Sequence, residues 1–232
     1  MKKKLFICSC GLKTEHLTLE TIKALKSSEV VFSHSIAGGP AEAFIRGLCG
    51  DFRALVGRSP GEIAAAVAEA FRTKETIAFL TYGNPFFLNT AAGLLKSRLK
   101  SKGVQVEVLS AVSSFDSMVN LLDLNEFAAA GVRLVHAGLS GGNIKFSPET
   151  DTLVFMMDNL SRVERPEHAG ALKKFIKGLS AAYPPGHEVL IVNAPFMEDI
   201  KGRILRTSVK NLERDFPKAD KNSTLFIPEL KK

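Results

Sequence analysis

The chain has 232 residues, 45% of them hydrophobic and 24% charged, which excludes a disordered or low-complexity protein and leaves one large α/β domain or two compact lobes. Its formal net charge of +7 makes nucleic acid the first partner to test. The three cysteines, Cys8, Cys10 and Cys49, form neither a disulfide framework nor a zinc-binding motif, so we expect a cytoplasmic protein without a metal site.

The N-terminus predicts neither a signal peptide nor a membrane anchor. Three lysines precede the apolar run Leu5–Cys8, which stops at Ser9 and is shorter than the roughly 7–15 apolar residues of a signal peptide. No stretch approaches the roughly 20 apolar residues of a membrane span. We therefore expect an exposed N-terminus that leads into a first buried strand, and no membrane partner.

In the first half of the chain, short apolar runs alternate with amphipathic stretches. The predicted strands are Leu5–Cys8, Glu29–Ser33, Thr76–Leu80 and Val104–Leu109, and the predicted helices are Thr18–Lys26, a helix from Ser59, a helix over about Thr90–Lys100, and one that begins at Ser113 or Ser114. Ser59, Pro60 and Glu62 form a capping box with proline in the first turn. This alternation predicts a parallel sheet with right-handed crossovers.

From about residue 125, proline and glycine divide the chain into shorter pieces. Strands are predicted at Val132–Ala137, Thr152–Met157, Val189–Val192 and Leu225–Ile227, and a helix near His168–Ala182. We expect a second α/β lobe with more antiparallel pairing, so that the chain divides into lobes at 1–127 and 128–232.

Three loops follow strands of the predicted parallel sheet, where ligands of such sheets bind. They are Cys8–Gly11, Tyr82–Phe87 and Ser110–Ser114. Their backbone amides, hydroxyls and aromatic rings suit a nucleoside-like ligand, although Tyr82–Phe87 is also compatible with a plain turn beside core aromatics.

The motifs of several enzyme classes are missing. The sequence has no P-loop, no G-x-G-x-x-G after the first strand, no G-x-S-x-G elbow and no H-E-x-x-H helix. Of the five histidines, His34 follows a strand and is a candidate for substrate contact, with a hydrogen-bonding turn residue as the alternative. His136 lies in an apolar run, where a satisfied core histidine is expected more often than a base.

Five segments occur in the order that characterises one family: Leu17–Leu19, Glu29–Ser33, Tyr82–Leu95, Val104–Ser114 and Asp151–Leu160. With them the chain resembles the tetrapyrrole methylase superfamily, the two-lobed class III S-adenosylmethionine-dependent methyltransferases. Each segment is moderately specific, and their succession over nearly the whole chain is much more so.

The resemblance implies a parallel-sheet N-terminal lobe, a mixed-sheet C-terminal lobe, and an S-adenosylmethionine cleft between them. It also implies a homodimer. The cofactor-binding residues it implies are Tyr82, Gly83, Asn84, Phe87 and Ser113, with Ala137, Met156 or Met157, and Ala194 on the adenine side. A mostly apolar slot with a few polar atoms suits a sulfonium ligand.

The tail resembles a narrower group, the borosin-type peptide backbone N-methyltransferases, at Tyr183-Pro184, Asn193–Pro195 and Ser223–Pro228. Tyr82 is a catalytic candidate, and so is Arg58. Arg58 lies near the position of an Arg-x-x-x-Tyr pair in those enzymes, although the residues 60–62 supply no tyrosine for such a pair.

The N-terminal loop departs from the family. Cys8 and Cys10 replace two glycines usual in the family, which predicts a narrowed or reshaped acceptor pocket.

Two acceptors stay open. A tetrapyrrole-like small molecule with carboxylates suits a basic protein and would be met by Arg46, Arg53, Arg58 or His34. A peptide backbone amide is favoured by the resemblance of the tail to the borosin-type enzymes. The precursor peptide that carries this amide would be encoded separately, because no substrate segment follows Lys232.

Two alternatives come from other classes: a ribosomal RNA methyltransferase or RNA-binding protein, and a non-catalytic scaffold. RNA is disfavoured because residues 201–232 carry five of the seven net positive charges, and the basic residues do not alternate with exposed aromatics. Lys96, Arg98, Lys100 and Lys102 lie at every second position, a spacing that winds around a helix.

Overall fold

A computed structural model of the chain describes residues 2–161, 169–197 and 200–231. The chain divides into two compact units. The first comprises Met1–Ser117 and Phe196–Ile200, and the second comprises Met118–Pro195 and Lys201–Lys232.

The elements of the first unit alternate between strand and helix. In chain order they are β1 (Lys4–Ser9), α1 (Leu19–Ser27), β2 (Val30–Ser33), α2 (Gly39–Arg46), β3 (Phe52–Ala54), α3 (Pro60–Ala70), β4 (Thr76–Thr81), α4 (Thr90–Lys100), β5 (Gln105–Val108) and α5 (Ser114–Leu121), whose last turn enters the second unit. The strands form one sheet in the order β3-β2-β4-β1-β5, and every pairing is parallel. The predicted parallel sheet is confirmed.

Both faces of this sheet are covered, which explains why its central strands are almost continuously apolar. Leu5, Ile77 and Phe79 pack with α3 and α4, whereas Ala78 and Leu80 pack with α1 and α2. The capping box predicted at the start of α3 is present, since the Ser59 side chain accepts from the Glu62 N–H and the Glu62 carboxylate accepts from the Ser59 N–H.

The second unit contains a mixed sheet with the order β6-β7-β10-β8-β9. Its elements are β6 (Val132–His136), α6 (Ala137–Ser140), β7 (Asp151–Phe155), α7 (Ala171–Ala182), β8 (Glu188–Asn193), β9 (Arg203–Ser208), α8 (Leu212–Asp215) and β10 (Ser223–Ile227). Only the pair β6 and β7 is parallel. Phe175 and Leu179 of α7 are fully buried in the core of this unit.

Five elements lie where the sequence predicted none: the helices α2, α6 and α8 and the strands β3 and β9. The helix α2 starts at Gly39-Pro40, which is typical of a loop, and β3 has three residues, of which Phe52 alone is buried. β9 pairs with β8 alone, at the edge of its sheet, and carries arginines. The predicted start of α7 near His168 lies outside the described residues. No helix within the described ranges combines the length and apolar content needed to cross a bilayer.

Asp215, at the end of α8, holds three elements of the second unit together. Its nearly buried carboxylate accepts from the Thr207 hydroxyl at 2.7 Å, the Lys218 ammonium at 2.9 Å and the Arg214 guanidinium at 3.1 Å. These hydrogen bonds, that of Arg214 first, hold the pKa of Asp215 well below its usual range.

The substitution Asp215→Asn keeps the shape of the side chain and removes its charge. A carboxyl whose pKa is lowered by folding stabilises the protein above its unfolded pKa of about 4 and ceases to do so as the pH falls through the folded value. We expect the variant to melt roughly 5 °C below the parent at pH 7, and the gap to shrink as the pH falls below about 4.

Thermal unfolding followed by circular dichroism measures both quantities. Asp51→Asn, which breaks an exposed ion pair with Arg53, is the control and should change the melting temperature little. A gap between Asp215→Asn and the parent that stays constant down to pH 3 would contradict the charge-based account.

Candidate functional site

The carboxyl ends of the parallel strands in the first unit meet at one edge of their sheet. β1 ends at Ser9, β2 at Ser33 and β4 at Thr81, and all three side chains are fully buried hydroxyls. The segments that follow them are the candidate ligand-binding loops, because strand ends of open parallel sheets carry such sites. This edge, which we call the loop edge, includes all three loops singled out from the sequence, because β5, the strand before Ser110–Ser114, runs parallel to β1.

The loops after β1 and β4 are joined through two glycines. The Gly83 N–H donates to the Gly11 carbonyl at 2.8 Å, and one step earlier the Cys10 N–H donates to the Thr81 carbonyl at 3.2 Å. Both glycines have left-handed backbone angles, with φ of 68° at Gly11 and 63° at Gly83. A Cβ atom at Gly11 would also lie 2.4 Å from Cβ of His16. Only glycine fits this contact without displacing His16.

Tyr82 stands at the tip of this contact with 43% of its surface exposed. Its ring meets the ring of Phe196 edge to face, with 5.2 Å between the centroids. Phe196 belongs to a segment that returns to the first unit late in the chain, and the next residue, Met197, donates its N–H to the Leu12 carbonyl at 2.7 Å. The returning segment therefore fixes both the Tyr82 ring and the loop after β1.

Asn84 shapes the loop after β4. Its side-chain oxygen accepts from the N–H groups of Phe86 at 3.0 Å and Phe87 at 3.2 Å. These two bonds fix the amide orientation, so the NH₂ group is directed away from the turn. It makes no hydrogen bond to any described residue and can donate to a ligand.

The loop between Phe87 and α4 contains a strained residue. Leu88 has a φ of 54° and 41% exposure, and Asn89 then caps α4 by accepting from the Ala92 N–H. A left-handed leucine costs roughly 1–2 kcal/mol, and such strain is concentrated at ligand-binding segments.

The two cysteines at the end of β1 lie in the core of the first unit, and their effect on an acceptor pocket stays a prediction. Cys8 and Cys10 are fully buried and pack in the core with Ala24, Leu25 and Ile36. Burial raises the pKa of both thiols, that of Cys10 to about 12. They stay protonated and act as small core residues.

Two further candidates, Ser113 and Arg58, lie outside the loops after β1 and β4. Ser113 caps α5: its hydroxyl donates to the Asp116 carboxylate at 2.7 Å, and its backbone N–H donates to the same oxygen at 2.6 Å. Arg58 follows the edge strand β3, which is separated from β4 by β2, and it lines a groove with Phe32 and Arg53.

His34 follows β2, and its half-buried ring stacks on Phe79 with 5.1 Å between the centroids. Burial lowers the pKa of His34, so its imidazole is neutral at pH 7. The other histidine considered from the sequence, His136, accepts from the Leu139 N–H at the start of α6, as expected for a satisfied histidine.

The candidates of the second unit share an edge of its sheet. β6, β7 and β8 run in one direction, since β6 and β7 are parallel and β7 and β8 are both antiparallel to β10. Ala137 follows β6, Met156 follows β7 and Ala194 follows β8. The topology thus brings together three residues that are far apart in the sequence.

The structure separates the two methionines that the sequence left as alternatives. Met157 is fully buried in the core, as is Ala137, whereas Met156 is half-buried with a left-handed φ of 58°. Met156 is therefore the methionine whose side chain is accessible. Its left-handed backbone is a form of strain that is concentrated at ligand-binding segments.

Three residues that complete the loop edge of the first unit were not predicted from the sequence: Leu12, Phe196 and Met197. The segment from 196 onward follows a strand of the second unit, and its one sequence signal is the apolar pair after Pro195. Among the described residues, no group of three His, Cys, Asp or Glu side chains could hold a metal ion.

Comparison with known proteins identifies the fold. A family model described as tetrapyrrole (corrin/porphyrin) methylases matches residues 4–213. No curated protein sequence matches the chain.

Solved structures match over nearly the full length. The uroporphyrin-III C-methyltransferase from Thermus thermophilus superposes with a TM-score of 0.73 at 17% identity, covering 99% of this chain and 93% of that one. The same enzyme complexed with S-adenosylhomocysteine gives 0.70 at 20% identity, covering 97% of both chains.

A cobalt-precorrin-4 methyltransferase of cobalamin biosynthesis gives a TM-score of 0.68 at 16% identity, covering 97% of this chain and 94% of that one. At these identities the likenesses establish the fold, and the predicted fold class is confirmed.

The contact between the glycines makes a prediction about stability. Gly11→Ala must adopt a left-handed backbone and displace His16, whereas Gly83→Ala meets no atom within 4 Å and suffers the backbone strain alone. We expect Gly83→Ala to lose roughly 1–2 kcal/mol and Gly11→Ala to lose clearly more.

Urea unfolding of both variants and of Gly61→Ala, a helical position with open space around it, measures the difference. Equal losses for Gly11→Ala and Gly83→Ala would show that the loop after β1 does not approach His16 as closely as described.

Proposed function

The chain belongs to the tetrapyrrole methylase family and is an S-adenosylmethionine-dependent methyltransferase; on this premise we propose which residues bind the cofactor and which acceptor receives the methyl group. For the cofactor we propose Tyr82, Gly83, Asn84, Phe87 and Ser113 in the first unit, and Ala137, Met156, Met157 and Ala194 in the second. We propose Tyr82 and Arg58 as catalytic residues.

The chemistry of the loop edge in the first unit suits this cofactor. Its groups are the Asn84 amide, the Tyr82 and Phe87 rings, and the backbone of two glycines, with no charged side chain among them. A sulfonium ligand with a nucleoside needs apolar walls and a few placed hydrogen-bonding groups rather than a phosphate cradle. When bound, S-adenosylmethionine supplies an electrophilic methyl group.

The proposed residues act by holding reactants in place. Methyl transfer is an in-line displacement, so alignment of acceptor and methyl carbon accounts for much of the acceleration. The Asn84 NH₂ group donates to the cofactor, the edge-to-face contact with Phe196 holds the Tyr82 ring, and Tyr82 orients the acceptor. For Ser113 and Met157, whose side chains cap a helix and fill the core, the proposal concerns the backbone.

As acceptor we favour a peptide backbone amide in a separately encoded precursor, as in the borosin-type enzymes that the tail resembles. The observation that carries this choice is that the segment Tyr82–Asn89 after β4 contains no charged residue, which matches an uncharged acceptor. The amide nitrogen attacks the methyl carbon, the carbon–sulfur bond breaks with its electron pair left on sulfur, and the amide proton passes to solvent.

The arginines expected to receive carboxylates have other partners. Arg46 pairs with Glu42 at 2.7 Å, and Arg53 pairs with Asp51 at 2.7 Å. The remaining candidate, Arg58, lies beyond the edge strand β3.

A tetrapyrrole-like small molecule is the second candidate acceptor. Family membership favours it, and so do the two solved relatives, whose names specify uroporphyrin-III and cobalt-precorrin-4. Exposed ion pairs such as Arg53 with Asp51 are weak, and a polycarboxylate can displace them. The homodimer implied by the resemblance and the cytoplasmic location expected from the cysteines stay predictions.

Cofactor binding is tested with Asn84→Asp. This variant keeps the side-chain oxygen that accepts from Phe86 and Phe87 and removes the NH₂ donor, so the turn survives. Loss of one hydrogen bond, worth about 1 kcal/mol, should weaken S-adenosylhomocysteine binding about fivefold by isothermal titration calorimetry.

Lys23→Ala, an exposed position on α1, serves as the control and should bind like the parent. Absence of any heat from the parent at millimolar S-adenosylhomocysteine would refute the cofactor assignment, and unchanged binding by Asn84→Asp would refute the role of Asn84.

The acceptor is tested by incubating the protein and S-adenosylmethionine with randomised uncharged peptides and, separately, with uroporphyrinogen III. We expect tandem mass spectrometry to find peptides heavier by one methylene group, with the added mass on the backbone nitrogen. Methylation of uroporphyrinogen III alone would replace the first candidate by the second, and no product from either would refute both.

A further inference from the structure

A surface groove lies between α3 and α4 of the first unit, on the side of these helices that faces away from the sheet. Its volume is about 450 Å³. The residues that line it are Ala65, Ala68, Glu69, Arg72, Arg98 and Lys102. We call it the α3–α4 groove.

The groove has a floor of methyl groups and a cationic rim. Ala65, Ala68 and Glu69 lie three and four residues apart on α3, so they share one face of this helix, and Arg72 follows in the turn after α3 ends. Arg98 lies in the last turn of α4 and Lys102 in the turn after it, and both line the groove. Lys96 lies instead with its ammonium 4.7 Å from the centre of the Phe86 ring.

The rim has an unbalanced positive charge. Glu69 pairs with Arg72 at 2.9 Å, whereas Arg98 and Lys102 are exposed and pair with no acidic side chain of the described residues. A neighbouring groove of about 620 Å³ shares Glu69 and Arg72 and adds Arg53 and Arg58. Exposed cations without partners attract an anionic ligand at a distance.

We propose that the α3–α4 groove binds an acidic peptide segment in extended conformation. The stretch of α3 from Ala65 to Ala70 is about 8 Å long, the length of about two to three extended residues. Acidic side chains at alternate positions of such a segment lie on one side, about 7 Å apart, so that two of them can meet the two cations of the rim, Arg98 and Lys102.

The groove fits a peptide better than a nucleic acid. Single strands are bound by exposed aromatic rings on which bases stack, and the α3–α4 groove has no aromatic lining residue. The neighbouring groove contains Phe32, which is only 3% exposed. The alanine floor instead accommodates a backbone at close range. This docking does not depend on the acceptor that the enzyme methylates.

The test is fluorescence anisotropy with a dye-labelled peptide in which glutamate alternates with glycine, titrated with the full-length protein without cofactor. The groove variant is Arg98→Glu with Lys102→Glu. The matched control is Lys23→Glu with Lys26→Glu, which reverses two exposed charges on α1 of the same unit and gives the same net charge.

We expect the parent and the control to bind the peptide equally and the groove variant to bind at least about tenfold more weakly, with all three proteins melting at the same temperature. A milder variant, Arg98→Ala with Lys102→Ala, should fall between them, which separates loss of binding from misfolding.

Three outcomes would overturn the proposal. The first is that the parent does not bind the peptide. The second is that the groove variant and the control lose binding alike, which would show that binding depends on net charge alone. The third is tighter binding of a single-stranded RNA of similar length, abolished by the groove variant alone, which would make the occupant nucleic acid.

Because the cofactor is absent from the assay, failure leaves the proposed methyl transfer untouched.

Discussion

The hydrogen bond from the Gly83 N–H to the Gly11 carbonyl is the contact on which the loop edge of the first unit depends. It joins the segments that follow the two central strands, β1 and β4, at the point where the sheet ends. Both residues are held in the left-handed region, and His16 closes the space beside Gly11. Side chains are thereby excluded from the contact, which leaves backbone polar groups at the strand ends. Tyr82 and Asn84 take their positions from this contact.

The same constraint explains how the chain tolerates cysteines where its family usually has glycines. Cys8 and Cys10 pack in the core with residues of α1 and α2, so their side chains fill core space between the sheet and these helices. The left-handed conformation that requires glycine lies one residue later, at Gly11.

Local sequence signals predicted much of the fold. The capping box at Ser59 predicted where α3 begins, and the helix predicted over Thr90–Lys100 agrees with α4 at both ends, because short-range hydrogen bonds and burial determine such helices. The edge strand β9 and the short β3 were missed, since their residues are partly exposed and lack alternation. Phe196 and Met197 were missed because long-range contacts alone bring them to the first unit. The burial of Cys10 was missed because it depends on the side of the sheet to which the chain turns at the end of β1.

The proposed function requires that the loops after β1 and β4 hold the methyl-donor cofactor. Hydrogen–deuterium exchange with and without S-adenosylhomocysteine measures this, because the amides of Gly11, Gly83 and Phe87 report on these loops. We expect slower exchange over residues 9–12 and 82–89 when the ligand is bound. Protection confined to other segments, with these loops exchanging at the same rate in both samples, would contradict it.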